Sequence, residues 1–327
     1  MSKTNSRSKK SKKKSIYKVK NWSEYNQALK QRGSLTVWLS LDAIKKWNYQ
    51  GPVQRGAQYK YSDLAIETIL TLKLIFHLQF RQVEGLMHSI VELMKVDLDI
   101  PDYTTLSRRQ KSLQIQLPVR RREEPLHVVI DSTGVKIFGE GEWKVRQHGY
   151  SKRRTWRKLH LAVDEATGEI QAAELTTNNV DDAEEIKPLL SKTQNLIEMV
   201  SADGAYDKRK SYDALANKAE QQQRAIQVNI PPRKDAKIVQ HGNSSEPPIV
   251  RDQNLRLIRK HGRKRWKELS RYHRRSIAEN IMFRYKTIIG PVLKAHTLEA
   301  QRVEAMIGCT ILNRMTVLGM PQSYKVH

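Results

Sequence analysis

The chain has 327 residues, 39% of them apolar, which is enough for two domains with a buried core. Its formal net charge of +25 far exceeds what solubility requires and indicates a polyanionic partner. The single cysteine excludes an internal disulfide, and no apolar run approaches the ~18 residues of a membrane span, so we expect a cytoplasmic protein without a membrane partner.

The positive charge is concentrated in three segments. Residues 1–14 carry seven Lys or Arg and no acid, residues 142–160 carry seven and one acid, and residues 251–286 carry thirteen and three acids. The remainder of the chain is nearly neutral. Charge placed in patches indicates contact surfaces rather than a uniformly solvated exterior.

The N-terminal region is predicted to be a basic arm followed by helices. Residues 1–20 begin with a low-complexity, Lys-rich stretch, which is typical either of a flexible arm that lies along phosphates or of a solubilising tail. Between residues 62 and 95 the apolar residues recur at helical spacing and predict two helices. We expect residues 21–118 to form an all-helical domain.

A third helix of this domain is predicted at residues 104–111. It starts with two capping residues, Thr104 and Thr105, and continues with Arg108 and Arg109. Hydroxyl and Arg side chains suit a recognition helix in the major groove, and the alternative is a packing helix with an exposed polar side. On the first interpretation the helical domain is helix-turn-helix-like and binds double-stranded DNA.

Residues 119–327 are predicted to form an α/β domain. The expected elements are strands at 127–131, 136–138 and 158–163, a helix at 182–192, a strand at 198–203, a helix at 207–219 and a strand at 225–230. The second strand is expected to pair with the first after a turn at Gly134. The order βββαβαβ indicates a mixed α/β layer fold. The polar, basic stretch at about 231–270 is expected to be an insertion over the site, with helices resuming at 271–289 and 292–317.

Two aspartates follow apolar strands. Asp131 ends the run Val128–Ile130, and Asp203 ends the run Met199–Ala202. The ends of strands in α/β sheets are where side chains converge on ligands. An aspartate in this position is more often a turn former or a helix cap, so neither residue by itself identifies a site.

A helix predicted from Tyr272 to Lys286 places four polar side chains in one narrow stripe. At ~100° per residue, Arg275, Glu279 and Lys286 lie within roughly 60° of Tyr272 around the helix axis. The apolar residues near the opposite side are Ile277, Ile281 and Ile288. The alternative interpretation is an ordinary amphipathic helix with an Arg–Glu pair on its surface.

These four residues carry a resemblance to a known family. Their spacing, Tyr272-x2-Arg275-x3-Glu279-x6-Lys286, matches the YREK signature of bacterial insertion-sequence DDE transposases. The resemblance implies that Tyr272, Arg275 and Lys286 contact DNA. An Arg can hold a phosphate by a bidentate fork, and a Lys can hold it as a point charge.

The surroundings of the two aspartates extend the resemblance. The stretch VIDSTG around Asp131 and the stretch ADGAYD around Asp203 resemble the first and second acidic blocks of the insertion-sequence-five family. The resemblance covers roughly residues 45–320. It implies a ribonuclease H-like catalytic domain in which Asp131, Asp203 and Glu279 are the catalytic, metal-binding residues.

The chemistry of three carboxylates agrees with a metal site. Neighbouring carboxylates repel and raise one another's pKa values, so an ionised cluster is stable only around cations. Hard oxygen ligands select Mg²⁺ or Mn²⁺. Two such ions ~3.5–4 Å apart can activate a water or a 3′-hydroxyl and stabilise the leaving oxygen of an in-line displacement at phosphorus. We therefore expect two Mg²⁺ or Mn²⁺ ions as cofactors.

The basic segment at 142–160 is a further candidate for DNA contact. Its residues Lys152, Arg153 and Arg154 can neutralise phosphates. Trp143 could stack on an unpaired base, although burial of this side chain in a core is the alternative.

The resemblance implies a DNA transposase that binds terminal inverted repeats, cleaves a strand and joins the exposed 3′-hydroxyl to target DNA, associated with the bacterial nucleoid. Two alternatives share parts of this description. A ribonuclease H-like structure-specific nuclease would have the triad without strand joining, and a domesticated, non-catalytic DNA-binding protein would have the basic patches alone. A homodimer or higher assembly is implied by the resemblance and by the need to hold two ends.

Overall fold

The computed structural model describes residues 16–53, 55–138, 156–240 and 249–326. None of the helices in these ranges is long and apolar enough to cross a membrane.

The N-terminal part of the described chain is mostly helical. Its elements are β1 (Ile16–Val19), α1 (Trp22–Gln31), α2 (Leu35–Trp38), α3 (Leu41–Lys45), α4 (Asp63–Ile75), α5 (Phe80–Met94) and α6 (Tyr103–Gln110). The structure contains the two helices expected between residues 62 and 95, as α4 and α5, and the third, as α6. Ser62 and Asp102 cap α4 and α6 through side-chain oxygens that accept backbone N–H bonds.

The end of the predicted flexible arm is a strand. β1 pairs antiparallel with β8 (Ser323–Val326), with Ile16 opposite Val326. The expectation that residues 1–20 are an arm throughout is therefore wrong for residues 16–19, because ladder hydrogen bonds hold this stretch against β8.

The remaining elements alternate between strands and helices. They are β2 (Leu126–Ile137), β3 (Trp156–Asp164), β4 (Ile170–Thr177), α7 (Ile186–Lys192), β5 (Ile197–Ala202), α8 (Arg209–Gln221), β6 (Gln227–Asn229), α9 (Val250–Leu269), α10 (Ser276–Ile288), β7 (Val292–Leu293), α11 (Leu298–Leu318) and β8.

Strands β2 to β7 form one mixed sheet with the order β4-β3-β2-β5-β6, and β7 pairs with the end of β2. β3 is antiparallel to both β2 and β4, whereas β5 and β7 are parallel to β2 and β6 is parallel to β5. A mixed α/β fold is thus confirmed, and it is consistent with the ribonuclease H-like fold that the resemblance implies.

Two expectations about the strands are wrong. β2 runs unbroken through Gly134, which pairs with Lys158 of β3, so there is no turn at that glycine. The strands expected at 127–131 and 136–138 are one element. β4 was not expected at all, and it takes the place of the lost strand in the order βββαβαβ.

The segment predicted to be an insertion at 231–270 contains α9, which is kinked at Gly262, where φ is 80°. Asn254 of α9 donates a hydrogen bond from its side-chain amide to the carbonyl oxygen of Val228 at 2.9 Å. Trp266, only 1% exposed, donates from its indole nitrogen to the side-chain oxygen of Asn254. These contacts fasten α9 to the β6 edge of the sheet.

One hydrophobic core joins the helical part to the sheet. It contains residues of α4 to α6, of the sheet, and of α10 and α11, among them Ile66, Leu106, Leu159, Ile281 and Leu312. A second cluster covers the other face of the sheet with residues of α7 and α8, among them Ile186, Leu189 and Leu215. The predicted domains, residues 21–118 and 119–327, therefore share a core across their boundary.

Candidate active site

The first two carboxylates lie side by side because of the strand register. β5 is parallel to β2, and Ala202 of β5 pairs with Ile130 of β2. The residues that follow this pair, Asp203 and Asp131, are therefore neighbours. Asp131 is 9% exposed, and one of its oxygens accepts the backbone N–H of Ser132 at 2.9 Å. Asp203 follows β5 directly and accepts the backbone N–H of Ala205 at 2.8 Å. The two aspartates are neighbours in the sheet, but Asp131 lies within β2, so the expectation that it ends a strand is wrong for this residue.

The four signature residues occupy two elements instead of one helix. Tyr272–Arg275 is a 3-10 turn, and α10 begins at Ser276. A 3-10 turn has about three residues per turn, so Tyr272 and Arg275 still lie on the same side. The guanidinium of Arg275 is 5.9 Å from the centroid of the Tyr272 ring. The single α-helix predicted from Tyr272 to Lys286 is therefore wrong at its start, although the shared stripe is kept.

Arg275 connects the first and third carboxylates. One terminal nitrogen of its guanidinium lies 2.5 Å from Oδ2 of Asp131, and the other lies 2.6 Å from Oε1 of Glu279. The Asp131 and Arg275 side chains are 13% and 20% exposed, whereas that of Glu279 is 57% exposed. β2, the 3-10 turn and α10 thus meet at Arg275, and Glu279 lies on the solvent-exposed side of this contact.

Lys286 lies against the same face of the sheet. Its Nζ donates to Oγ1 of Thr133 at 2.7 Å. Thr133 is two residues beyond Asp131 on β2, and residues two apart on a strand share a face. Arg275, in the turn before α10, and Lys286, in α10, therefore flank Asp131.

The Tyr272 ring packs against α9. Its ring centroid lies 5.6 Å from that of Trp266, and the ammonium group of Lys267 lies 5.4 Å from the Tyr272 ring. Burial raises the pKa of the Tyr272 hydroxyl, against the effect of Arg275. The ring is half-buried in this packing.

The electrostatics of the site favour a cation near Asp131. Burial raises the pKa of Asp131 above its usual range, and the nearby charges of Asp203 and Glu279 raise it further. Arg275 and the Ser132 N–H act in the opposite direction without cancelling this rise. Burial thus disfavours the ionised form of Asp131 even with the guanidinium in contact, and a further cation beside the carboxylate would offset that cost.

The donors suit a hard divalent cation, since all three are carboxylates. The described ranges contain no group of three or more acidic, His or Cys side chains that could hold a metal ion in their present positions. Arg275 lies between Asp131 and Glu279, where it supplies the compensating charge. Gathering all three carboxylates on an ion therefore requires Arg275 to give up at least one of its two contacts.

Sequence analysis missed three side chains beside the site. Thr133 accepts the Lys286 hydrogen bond. Tyr206 is 1% exposed, and burial followed by the carboxylates of Asp182, Asp131 and Asp203 raises the pKa of its hydroxyl, which stays neutral. Thr133 and Tyr206 belong to the two stretches that carry the resemblance, so that signal could have identified them. Asp182 lies in a short 3-10 turn and has no signal of its own in the sequence.

The four residues of α6 that were predicted to contact DNA differ in their exposure to solvent. Thr104 is exposed, Thr105 is partly exposed, and the hydroxyls of both donate to the carboxylate of Asp102, while Arg108 is exposed. Arg109 is 6% exposed: it donates to the carbonyl oxygen of Tyr61 at 2.9 Å and pairs with Asp63. The side chain of Arg109 is therefore directed into the protein in this conformation. The other expected DNA contacts, Trp143, Lys152, Arg153 and Arg154, lie outside the described residues.

Carboxylates beside arginine and lysine side chains are suited to metal-dependent chemistry on phosphate groups. Two family models match the chain, each described as a transposase DDE domain, over residues 30–140 and 122–314. The second covers more than half of the 327 residues. The chain belongs to the DDE transposase family and is a metal-dependent DNA transposase.

Among solved structures, the chain is similar to the Drosophila P element transposase strand transfer complex. The two share 10% sequence identity, with 90% of this chain and 86% of that chain covered, at a TM-score of 0.30. So slight a likeness supports no inference about detail.

Proposed function

We propose that the chain is the transposase of a bacterial insertion sequence of the insertion-sequence-five family, carrying the YREK signature. It binds the terminal inverted repeats, hydrolyses one strand to expose a 3′-hydroxyl, and uses that hydroxyl to attack target DNA. The observation that carries the proposal is the proximity of Asp131, Asp203 and the Arg275–Glu279 pair beside the interior strands β2 and β5.

Each residue has a separate part in the proposed reaction. Asp131, Asp203 and Glu279 hold two Mg²⁺ or Mn²⁺ ions, which when bound activate the attacking oxygen and stabilise the leaving one. Arg275, once released from a carboxylate, holds a phosphate flanking the scissile bond by two parallel hydrogen bonds. Lys286 supplies a point charge beside it. No covalent bond between protein and DNA is required.

The rest of the chain supplies recognition in this proposal. The exposed side of α6, with Thr104 and Arg108, reads the end sequence in the major groove, and the basic N-terminal arm and the 142–160 segment hold the backbone. A dimer or larger assembly holds two ends together. The chain acts in the bacterial cytoplasm, on the nucleoid.

Metal replacement tests the chemistry. We expect Mg²⁺ and Mn²⁺ to support cleavage of an end-bearing duplex, and Ca²⁺ to support binding with little turnover, because Ca²⁺ accepts looser, higher-coordinate geometry. Cleavage is measured on labelled duplex, and binding on the same duplex by mobility shift. Undiminished cleavage in excess EDTA would contradict an oxygen-ligated metal site. Joining of the cleaved end to a supercoiled target separates a transposase from a structure-specific nuclease, which would stop after cleavage.

Adjacent arginines on α6 form a matched pair for testing recognition. Arg108→Ala is expected to reduce discrimination between end and non-end duplexes by ~1–3 kcal/mol with unchanged thermal stability, since Arg108 is exposed. Arg109→Ala is expected to lower the free energy of unfolding by about 1.5–3 kcal/mol, because it removes charge-assisted hydrogen bonds to Tyr61 and Asp63. Competition binding and denaturant titration measure the two effects. If the Arg108→Ala variant still discriminated fully between the two duplexes, another residue would be the one that recognises the end sequence.

A further inference from the structure

A basic pocket lies at the junction between the helical part and the catalytic part of the chain. Its volume is about 380 Å³, which is within the range of ligand-binding cavities. Four basic side chains line it, together with two phenyl rings: Lys73, Lys111, Lys294, His296, Phe80 and Phe138. None of the described residues that line this lysine pocket is acidic.

Lys73 of α4 is the most unusual member. The residue is 5% exposed, and its ammonium group lies 4.7 Å from the centroid of the Phe80 ring. Among the described residues no carboxylate lies within ion-pair distance of it. A buried ammonium without a counter-ion is costly, and burial indeed lowers the pKa of Lys73. An anion in the pocket would offset that cost.

The nearest acid, Glu304, is committed elsewhere. Its two carboxylate oxygens accept backbone N–H bonds from Lys294, at 2.9 and 3.1 Å, and from Ala295 at 2.8 Å. The Coulomb effect of Glu304 on Lys73 raises the pKa of Lys73 but does not outweigh burial, and Lys294 opposes it. The pocket therefore carries a net positive charge that an anionic ligand could neutralise.

The pocket has further features of a phosphate site. Thr297, which caps the 21-residue helix α11, and Ala300 in its first turn both line the pocket, so the positive end of the helix dipole is directed towards it. Ser107 and Gln110 of α6 add polar groups to the wall.

The position of the pocket relates it to the active site. Phe138 follows β2 and lies seven residues beyond Asp131, roughly 23 Å away at ~3.3 Å per residue. That span is shorter than one turn of B-form DNA, about 34–36 Å. The pocket and Asp131 are therefore close enough for one duplex to contact both within a single helical turn.

We propose that the lysine pocket binds one backbone phosphate of the DNA substrate. Lys73, Lys111 and Lys294 hold the phosphate oxygens, and Phe80 and Phe138 pack against the adjoining deoxyribose. This inference rests on the proposed function, in which DNA is the substrate. Because Lys73 and Lys111 come from the helical part and Lys294 from the loop before α11, the bound phosphate fastens the two parts to the same DNA.

Neutral replacements of matched lysines test the proposal. Lys73→Met and Lys294→Met keep the aliphatic stem and remove the charge, and Lys187→Met, at an exposed position of α7 over the opposite face of the sheet, makes the same change in net charge. Affinity for an end-bearing duplex is measured against salt concentration in full-length protein. The log–log slope should become shallower by ~0.9 in each pocket variant and stay unchanged in the control. Between roughly 50 and 200 mM salt, that difference shrinks the ratio of wild-type to variant affinity by about 3.5-fold.

Duplexes with a single neutral methylphosphonate, placed at each position in turn, identify the phosphate. We expect one position at which the substitution weakens binding by wild-type protein and by the Lys187 variant but not by the pocket variants. Equal sensitivity of all four proteins at every position, or pocket-variant slopes equal to that of the control, would overturn the proposal. Competition by free inorganic phosphate at millimolar level without any such position would show an anion site that does not take DNA, and would also overturn it.

The outcomes remain distinct from failure of the proposed function. Wild-type protein and the Lys187 variant report on the proposed function, since both should cleave an end-bearing duplex with metal whatever the pocket binds. Absence of that cleavage would contradict the proposed function and not the pocket. Lys73 is buried, so its variant is first compared with wild type by thermal melting. If Lys73→Met does not fold, the partly exposed Lys294→Met carries the same test alone.

Discussion

Replacement of Glu279 by Gln is expected to abolish strand cleavage while leaving binding to an end-bearing duplex within a few-fold of wild type. The substitution keeps the size and helix propensity of the side chain but removes a charged metal ligand. Removing a residue that hydrogen-bonds to a metal ligand typically lowers metal affinity or activity by ~10–100-fold, so loss of a ligand itself should lower activity further. The side chain is 57% exposed, and Arg275 retains its contact with Asp131, so the fold should persist.

A matched control for this variant is Glu268→Gln. Glu268 is an exposed glutamate near the end of α9 that also pairs with an arginine, Arg265, at 3.0 Å. It lies outside the proposed machinery, so its cleavage rate should equal that of wild type. Single-turnover cleavage, with a thermal melt of each variant, measures the comparison. Near-normal cleavage by folded Glu279→Gln would mean that the signature stripe is only the polar side of an amphipathic helix.

Replacement of Asp131 by Asn is expected to abolish cleavage without lowering thermal stability in the absence of metal. Burial and the charges of Asp203 and Glu279 raise the pKa of Asp131, which means that its ionised form is destabilising in the folded chain. An isosteric amide removes that charge and can still accept a hydrogen bond from Arg275. Active sites commonly trade stability for function in this way.

Asp164 on the neighbouring strand supplies the contrasting case. Its side chain is 1% exposed, and it accepts hydrogen bonds from Arg122, from the hydroxyl of Thr167 and from the N–H of Ala166. Asp164→Asn should therefore lower the free energy of unfolding by about 1–3 kcal/mol and leave the cleavage rate of the folded protein unchanged. A large loss of stability in the Asp131 variant, comparable to that in the Asp164 variant, would show that Asp131 is structural.

The stability of the Asp131→Asn variant relative to wild type should increase as pH rises. A raised pKa in the folded state means that the folded protein binds a proton at Asp131 more tightly than the unfolded chain does. The stability from this proton is fully present below the unfolded pKa and is lost as pH rises through the folded pKa. The Asn variant undergoes no such loss, so its stability relative to wild type should increase from about pH 4 upward. Thermal melts in EDTA across that range measure it.

α4 and α5 were predictable from the helical spacing of their apolar residues. α6 was expected to start with Thr104 and Thr105 as caps, but it begins at Tyr103 and is capped by Asp102. The sheet was harder. β4 has the sequence IQAAELTT and is buried on both faces, so it shows no alternation of polar and apolar residues and contains few β-branched side chains. The turn expected at Gly134 failed because that glycine lies within a strand, where an added Cβ would lie 3.4 Å from the Trp156 ring.

The site was predictable to the extent that it depends on local pattern and resemblance. Asp203 directly follows the end of β5, as its apolar run indicates, whereas Asp131 lies within β2, and Glu279 was identified through the signature. The inward direction of Arg109 depends on Asp63, 46 residues away, and no local pattern reports such a partner. The contact of Arg275 with Asp131 spans 144 residues and is equally invisible. Arg271, whose φ of 54° starts the 3-10 turn, explains why a continuous helix was the wrong expectation.

The shared core has a consequence for synthesis of the chain. Gln110 of α6 donates a hydrogen bond to the carbonyl oxygen of Ala300, 190 residues later, and the apolar side of α4 packs in the same cluster as Leu312 and Met315. At ~5–20 residues per second, a ribosome needs on the order of 10–40 s to cover that separation. During this interval the first helices have no complete core to join. The helical part and the sheet therefore complete their common core only after α11 has been synthesised.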